Sequence, residues 1–157
     1  MIRYQTETTI RRPPSIVFAA MLDADRYGDW TDMTDVHFDG EQPPALGTRG
    51  RFRLPRSPFR GDLEMEIVEL QPDRRVVFRV THPALTWVNW AETRPNDEGT
   101  AFVYGGEMHL HGWRRLLEVV LRAEIRKGEA KEAERLKAVL ETEEPDAAAT
   151  AQVAPAA

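Results

Sequence analysis

Between residues 34 and 110, short stretches with a two-residue hydrophobic period alternate with clusters of turn-forming residues. A two-residue period is typical of half-buried strands, and the Pro, Gly, Asn and Asp residues of the clusters end such strands. The pattern predicts six strands, near residues 35–40, 47–54, 61–71, 75–82, 85–94 and 100–110. Because the connections are short, we expect consecutive strands to pair into one curved antiparallel sheet.

The segments on either side predict one more strand and three helices. Residues 2–11 alternate in the same way, and "PPSIVFAAMLD" and "ADRYGDW" favour two short helices within residues 13–30. After Gly112 the period changes to three and four residues, which predicts one long C-terminal helix. Its predicted apolar stripe consists of Trp113, Leu116, Leu117, Val120, Leu121, Ile125, Ala130, Ala133, Leu136 or Lys137, and Leu140. We expect Trp113 to seal one end of the core, and Gly128 to mark a kink or the close approach of a bulky group.

The composition limits the functions open to this chain. Its 157 residues suit one domain, which we expect over residues 1–141, followed by a disordered Ala-rich tail over 142–157. The absence of cysteine excludes disulfides, thiol nucleophiles and thiolate metal sites. A net charge of −5 argues against general nucleic-acid binding. With no apolar run of membrane-spanning length and no signal-peptide layout at the start, we expect a cytoplasmic protein without stable membrane insertion.

Five short motifs follow one another along the chain. They are "PPSIVFAAMLDADRYGDW" (13–30), "LGTRGRF" (46–52), "EIVELQPDRRVVFRV" (66–80), "EGTAFVYGGEMHLHG" (98–112) and "RLKAVLE" (135–141). In type and order they resemble the START/SRPBCC superfamily, which includes polyketide cyclase/dehydrase and lipid-transport-like proteins. The resemblance, over residues 2–141, implies an α+β helix-grip fold: a curved seven-stranded antiparallel sheet (β-α-α-β6-α) around the long C-terminal helix. It also implies a cavity between the sheet and that helix.

Alternation within the strands and the resemblance together give a set of candidate ligand-binding residues. They are Trp30, Phe52, Leu54, Met65, Ile67, Phe78, Trp87, Asn89, Tyr104, Met108, Leu117 and Leu121. The strand over 85–94 has two possible orientations, with either Trp87 and Asn89 or Val88 and Trp90 inward, and similarity to the family hairpin favours the first.

Several of these side chains have a specific expected role. Tyr4, Tyr104 and Asn89 are the uncharged groups best suited to orient a ligand, and a buried amide such as that of Asn89 needs a hydrogen-bond partner. Trp30 either lines the mouth of the cavity or holds the short helices on the sheet.

Charged residues on the strands are expected on the outer face of the sheet. Arg49, Arg51 and Arg53 alternate with Phe52, so they should lie on the solvated side, with an anion-recognition site as the alternative. Family cyclases are thought to use an interior Arg, and the outward orientation of these arginines does not favour that chemistry here.

Two further clusters contain possible catalytic or metal-binding groups. Glu107, His109 and His111 alternate at the end of the last predicted strand, but we expect them to face outward, away from Tyr104 and Met108. The carboxylates of "DWTDMTD" (29–35) are expected in a solvated loop, although two of them could act as acid and base. We therefore assign no catalytic residue, no metal and no cofactor from the sequence.

These expectations lead to three functional hypotheses. The first is a non-catalytic protein that binds a small hydrophobic or amphipathic ligand, such as a lipid, polyketide or isoprenoid, as a monomer or homodimer. The second is a polyketide cyclase or dehydratase, which requires at least two polar or ionisable side chains inside the cavity. The third is a regulatory interaction domain that acts through its surface.

Overall fold

The computed structural model describes residues 1–143, which form seven strands, three α-helices and two 3₁₀ helices. The strands are β1 (Ile2–Ile10), β2 (Thr34–Phe38), β3 (Arg49–Arg53), β4 (Leu63–Gln71), β5 (Arg75–His82), β6 (Leu85–Asn96) and β7 (Gly99–Leu110). The helices are α1 (Pro14–Ala20), α2 (Tyr27–Trp30) and α3 (Glu118–Thr142), with 3₁₀ helices at Ala24–Arg26 and Gly112–Leu117. The predicted tail, apart from its first two residues, lies outside the described residues.

All seven strands form one antiparallel sheet in the order β1-β7-β6-β5-β4-β3-β2. The predicted α+β helix-grip fold, with a long C-terminal helix against a curved sheet, is confirmed. The chain folds this way because each of the strands β2 to β7 pairs with its neighbour in sequence, through longer loops on both sides of β3 and short turns from β4 onward, while β1 pairs with β7 and forms one edge of the sheet. No helix of residues 1–143 has the length and apolar character needed to cross a membrane.

The faces of the strands follow the predicted alternation. In β6 the residues at 85, 87, 89, 91 and 93 are buried, so Trp87 and Asn89 point inward, as the family hairpin suggested. In β3 the arginines are exposed and Phe52 is buried. The two faces of the sheet are therefore assigned correctly from the sequence.

Helix α3 covers the edge strand β1. The Arg126 guanidinium donates a hydrogen bond to the Arg3 carbonyl at 3.0 Å, and Lys137 donates to the Thr9 carbonyl. These bonds satisfy carbonyl groups that an uncovered edge strand would leave without a partner. Farther along, Ala133, Leu136 and Leu140 of the predicted stripe are buried in the core.

The start of the helical region differs from the prediction. Trp113 is exposed and does not seal the core, and Leu116 and Val120 are exposed as well. One physical reason is that residues 112–117 form a 3₁₀ helix, in which the three-and-four spacing of an α-helix does not align on one face. The buried carboxylate of Glu118 instead fixes this end, because it accepts a hydrogen bond from the Leu110 amide at 3.0 Å and pairs with the N-terminus.

Gly128 also behaves differently from the expectation. The α-helix continues through it, and a Cβ placed there would meet no atom within 4 Å. No bulky group of the described chain approaches it, because Gly128 borders an open cavity.

Candidate ligand-binding site

A cavity of about 370 Å³ lies between α3 and the sheet. The walls are formed by one face of α3, by the loop after β3, by residues of β6 and β7, and by the turn after α2. Its apolar surface comes from Met33, Leu54, Pro58, Phe59, Trp87, Met108, Leu121 and Ile125. The helix approaches β1 and leaves this space over the rest of the sheet, so the helix-grip arrangement itself creates the cavity.

Two of the three α3 glutamates that line this mainly apolar space have a buried carboxyl oxygen. Glu129 and Glu132 are three residues apart, which places them on the same side of the helix, and both line the cavity. The Oε2 atom of each is buried and has no hydrogen-bond partner within residues 1–143. Buried polar atoms are normally hydrogen-bonded, so two such atoms in one cavity wall indicate a place where another molecule would be stabilised.

Burial raises the pKa of both carboxyl groups. For Glu129 the removal of water is the largest cause, the charge of Glu132 adds to it, and the hydroxyls of Tyr4 and Tyr104 oppose it. Burial likewise raises the pKa of Glu132 to about 7, where the Asp32 backbone amide and the Arg135 guanidinium oppose the effect. Both groups therefore hold a proton at a higher pH than an exposed glutamate does.

Tyrosine and tryptophan side chains support the floor of the site. Trp87 Nε1 donates a hydrogen bond to the Tyr4 hydroxyl at 3.0 Å, and the Tyr4 and Tyr104 rings pack edge to face at 6.4 Å. Burial raises the pKa of both tyrosines, so their hydroxyls remain neutral near pH 7. Gly106 makes this arrangement possible, because a Cβ there would lie 2.5 Å from the Tyr4 hydroxyl and 2.9 Å from Trp87 Nε1.

Ionic side chains lie at the rim of the cavity. The Arg135 guanidinium donates to Asp32 Oδ1 at 3.1 Å, and Arg56 lies 4.0 Å from the same oxygen. Asp29, at the end of α2, and Asp35, in β2, are exposed and do not line the cavity. The sequence motif thus contributes one carboxylate to the rim, and that carboxylate is already paired with arginine.

Comparison with known proteins identifies the family of this chain. The sequence matches the family described as "Polyketide cyclase / dehydrase and lipid transport" over residues 1–141. The chain belongs to this family. None of the curated proteins compared with the chain matches it.

Solved structures show the same fold at low sequence identity. TTHA0849 from Thermus thermophilus is 16% identical with a TM-score of 0.69, covering 88% of this chain and 96% of its own. The Aha1 dimer from Colwellia psychrerythraea is 16% identical with a TM-score of 0.67, covering 90% and 98%. DynU16, from the dynemicin biosynthetic locus, is 17% identical with a TM-score of 0.67, covering 90% of this chain and 48% of its own.

In this member of the polyketide cyclase/dehydrase and lipid transport family, the cavity combines an apolar wall with two carboxyl groups. A protonated Glu129 or Glu132 can donate a hydrogen bond to a ligand oxygen, and an ionised one can accept a bond or a proton. The site can therefore orient the polar end of an apolar ligand, and it contains the groups that acid and base chemistry requires.

The predicted site residues fall into three locations. Leu54, Trp87, Met108 and Leu121 line the cavity together. The buried core contains Trp30, Phe52, Met65, Ile67, Phe78, Asn89 and Tyr104. Leu117 is exposed outside the cavity because it lies in the 3₁₀ helix. Ligand binding by any of these residues stays a prediction.

Trp30 lies among aromatic rings at the base of the short helices. Its ring centroid is 5.3 Å from that of Tyr27 and 6.0 Å from that of Tyr104, and the side chain is fully buried. This environment favours the role of holding the short helices on the sheet over that of lining the cavity mouth. Its Nε1 atom has no hydrogen-bond partner in the described chain.

The charged and histidine side chains of the outer face lie beside polar or oppositely charged neighbours, or in solvent. Glu107 pairs with Arg3, and His111 Nε2 lies 3.0 Å from Thr86 Oγ1, while His109 is exposed. The basic strand β3 lies opposite acidic β4, with Arg49 beside Glu66 and Arg51 beside Glu64 in register. Both clusters thus occupy the side of the sheet that faces away from α3.

Sequence reasoning missed the polar residues of α3, Glu124, Glu129 and Glu132, together with the loop over 56–59. The helix residues carry a detectable signal. Extending the three-and-four spacing backward from Leu136 and Leu140 passes through position 132 and positions 128 and 129, before reaching Ile125 and Leu121. The loop has no such period, and its approach to α3 depends on the curvature of the sheet.

Proposed function

We propose that this chain binds a small, mainly apolar ligand with a polar end, such as a lipid, polyketide or isoprenoid, in the cavity between α3 and the sheet. The observation that carries the proposal is the pair of buried, unpartnered carboxyl oxygens of Glu129 and Glu132 in a mainly apolar cavity wall. Ligand sites are typically apolar spaces with a few polar groups that fix orientation.

The dimensions of the cavity support this proposal. About 370 Å³ lies within the range of roughly 300 to 1,000 Å³ that small-molecule sites occupy. An apolar ligand would cover the exposed faces of Leu54, Phe59 and Ile125, and its polar end would reach the carboxyl groups. A neutral oxygen on the ligand matches protonated carboxyls, which their raised pKa favours.

Native mass spectrometry of protein purified from its own cells tests the proposal directly. We expect an additional mass bound to the wild-type chain and its loss from Gly128→Phe, because a large side chain at Gly128 points into the cavity without a clash at Cβ. Ala138→Phe is the matched control, since Ala138 is exposed on the same helix and does not line the cavity. A wild-type chain without bound mass, and with no thermal shift from fatty acid, isoprenoid or aromatic polyketide, would contradict binding.

A second candidate function is a cyclase or dehydratase acting on a poly-keto chain. The observation that favours it is again specific: two carboxyl groups with raised pKa lie within one cavity, where one could donate and the other accept a proton. Turnover of a linear poly-β-ketone by the wild-type chain separates the two functions. A carrier would bind without turnover, whereas an enzyme would turn the compound over and lose this activity, but not binding, in Glu129→Gln or Glu132→Gln.

The remaining expectations about partners and location stay predictions. Analytical ultracentrifugation would distinguish the two expected states, monomer and homodimer; the solved Aha1 from Colwellia psychrerythraea is a dimer. The proposed cytoplasmic location is testable by cell fractionation.

A further inference from the structure

The helical stretch that follows β7 and precedes the cavity-lining part of α3 has an apolar face that the described chain leaves uncovered. Trp113 is 67% exposed, Leu116 80%, Val119 78% and Val120 72%. Trp113 and Leu116 share a face of the 3₁₀ helix, in which side chains three residues apart eclipse. Val119 and Val120 follow Leu116 by three and four residues in the first turn of α3 and continue that face. We call these four residues the apolar patch. Contiguous exposed apolar surface of this kind marks an interaction site.

The patch lies in a strongly basic segment of an acidic protein. Residues 112–127 contain five basic and two acidic residues, whereas the whole chain has a net charge of −5. Of the two acidic residues, Glu118 is buried and paired with the N-terminus, so exposed Glu124 is the one acidic side chain of this segment that offsets the basic ones at the surface. The basic residues are Arg114, Arg115, Arg122, Arg126 and Lys127. The charge presented around the patch is therefore predominantly positive.

The aromatic ring of Trp113, in the apolar patch, lies against the cation of its neighbour Arg114. The Arg114 guanidinium lies 5.2 Å from the centroid of the Trp113 ring. Tryptophan is favoured at membrane–water interfaces because its ring is amphipathic, and arginine extends its charge into the headgroup layer while its stem remains apolar.

Charge decides between two possible occupants of the patch. A second copy of the chain would bring the basic segments of both copies together, and like charges in one interface are unfavourable. An anionic lipid surface has the opposite charge, and it accepts apolar side chains at the boundary between headgroups and acyl chains. The segment therefore complements a lipid surface better than it complements itself.

We propose that the apolar patch, with its surrounding arginines, docks the protein reversibly onto an anionic lipid surface. The helix lies on the surface and does not span it. Leu121, the residue after the patch, lines the cavity together with Ile125. Docking therefore brings the helical wall of the cavity to the lipid surface, although the inference itself does not depend on the proposed ligand.

Co-sedimentation with vesicles tests this docking. We expect the full chain to bind vesicles that contain about one quarter phosphatidylglycerol in phosphatidylcholine, and to bind pure phosphatidylcholine at least about tenfold more weakly. Raising the salt from about 0.1 M to about 1 M shortens the screening length from about 10 Å to about 3 Å and should release most of the protein.

Two double variants and their matched controls locate the surface. Trp113→Ser with Leu116→Ser removes apolar contact, and Arg115→Glu with Arg122→Glu reverses charge, so each should weaken binding to anionic vesicles by about tenfold or more. The controls are Leu46→Ser, at a residue that is 64% exposed elsewhere, and Arg49→Glu with Arg51→Glu on the outer sheet face. Both controls should bind as the wild type does.

Three results would overturn the proposal. The first is wild-type protein that binds anionic vesicles no better than neutral ones. The second is an equal loss of binding in the patch variants and in the control variants. The third is a dimer in ultracentrifugation that Trp113→Ser with Leu116→Ser dissociates, because the patch would then be covered by a second copy. Far-UV circular dichroism of every variant confirms folding, which substitutions at exposed positions should preserve.

Discussion

The two halves of α3 and its leading 3₁₀ helix have similar apolar periodicity but opposite environments. In the C-terminal half, Ala133, Leu136 and Leu140 are buried against the sheet and the short helices. In the N-terminal half, Leu116 and Val120 are exposed. A three-and-four period thus identifies a helix with an apolar face, but what covers that face depends on the rest of the fold.

The transition between the two halves coincides with the cavity. From Leu121 to Glu132 one side of the helix borders open space, and after it the same side packs into the core. Gly128, Glu129 and Glu132 occupy this transition. The helix therefore serves three purposes along its length: an exposed face, a cavity wall and a core element.

Truncating one leucine in each half should give the largest difference. Leu136→Ala removes a fully buried side chain and should lower the free energy of unfolding by about 3 kcal/mol. Leu116→Ala removes an exposed side chain and should change it by less than about 0.5 kcal/mol. Urea denaturation of both variants measures the difference. Equal costs would mean that the N-terminal half is covered in solution.

The strands and the faces of the sheet could be predicted because their period is local. Arg49, Phe52 and Arg53 are assigned to the correct sides by alternation alone. The residues buried in the second half of α3, Leu136 and Leu140, follow from spacing in the same way. Wherever one face of a strand or helix is covered along its full length, the hydrophobic period of the sequence is enough to predict which residues are buried.

The candidate site was less predictable, because its polar groups break the hydrophobic rule. Glu129 and Glu132 lie on the inward side of α3. A search for apolar residues passes over them and selects neighbours such as Ala130 and Ala133. In the opposite sense, Trp113 is apolar and points outward. Such departures from the pattern are expected where a fold leaves space for another molecule.

The carboxyl groups at the transition should make stability depend on pH. Glu132 has a pKa of about 7 in the folded protein, above its ordinary value of 4.5, so the folded state keeps a proton that the unfolded chain releases. This stability is fully present below the unfolded pKa and is lost as pH rises through about 7. For the ligand-free protein the loss should be on the order of 2 kcal/mol.

Thermal unfolding between about pH 5 and about pH 8 checks this expectation, because this range covers most of the interval between the ordinary pKa of 4.5 and the folded pKa of about 7. The charged and titratable groups that interact with Glu132 are Glu129, Asp32, Arg135 and the hydroxyls of Tyr4, Tyr27 and Tyr104. Glu129→Gln combined with Glu132→Gln should flatten most of the dependence, because burial raises the pKa of both carboxyl groups. Glu134→Gln, at an exposed position on the same helix, should leave it unchanged. Wild-type protein that becomes more stable as pH rises would exclude buried carboxyls with raised pKa.

The sheet beneath the transition depends on a close contact at Gly106. Gly106→Ala would place a Cβ 2.5 Å from the Tyr4 hydroxyl, so the hydrogen bond from Trp87 must move or break. We expect a loss of about 1.5 kcal/mol in the free energy of unfolding, as for other overpacked sites. Denaturation of this variant, compared with Gly28→Ala at an open position, measures the cost. An unchanged stability would show that the floor of the cavity yields easily.

Gly128→Ala should give the smallest effect, and in the opposite direction. Glycine inside a helix costs about 1 kcal/mol relative to alanine, and a Cβ at Gly128 meets no atom within 4 Å because it faces the cavity. The variant should therefore be more stable by about 0.5 to 1 kcal/mol in thermal or urea unfolding. A loss of stability would mean that the cavity closes on Gly128 in solution, so that the helix wall is packed there as it is at Leu136. A gain would place the boundary between packed and open helix on the C-terminal side of Gly128.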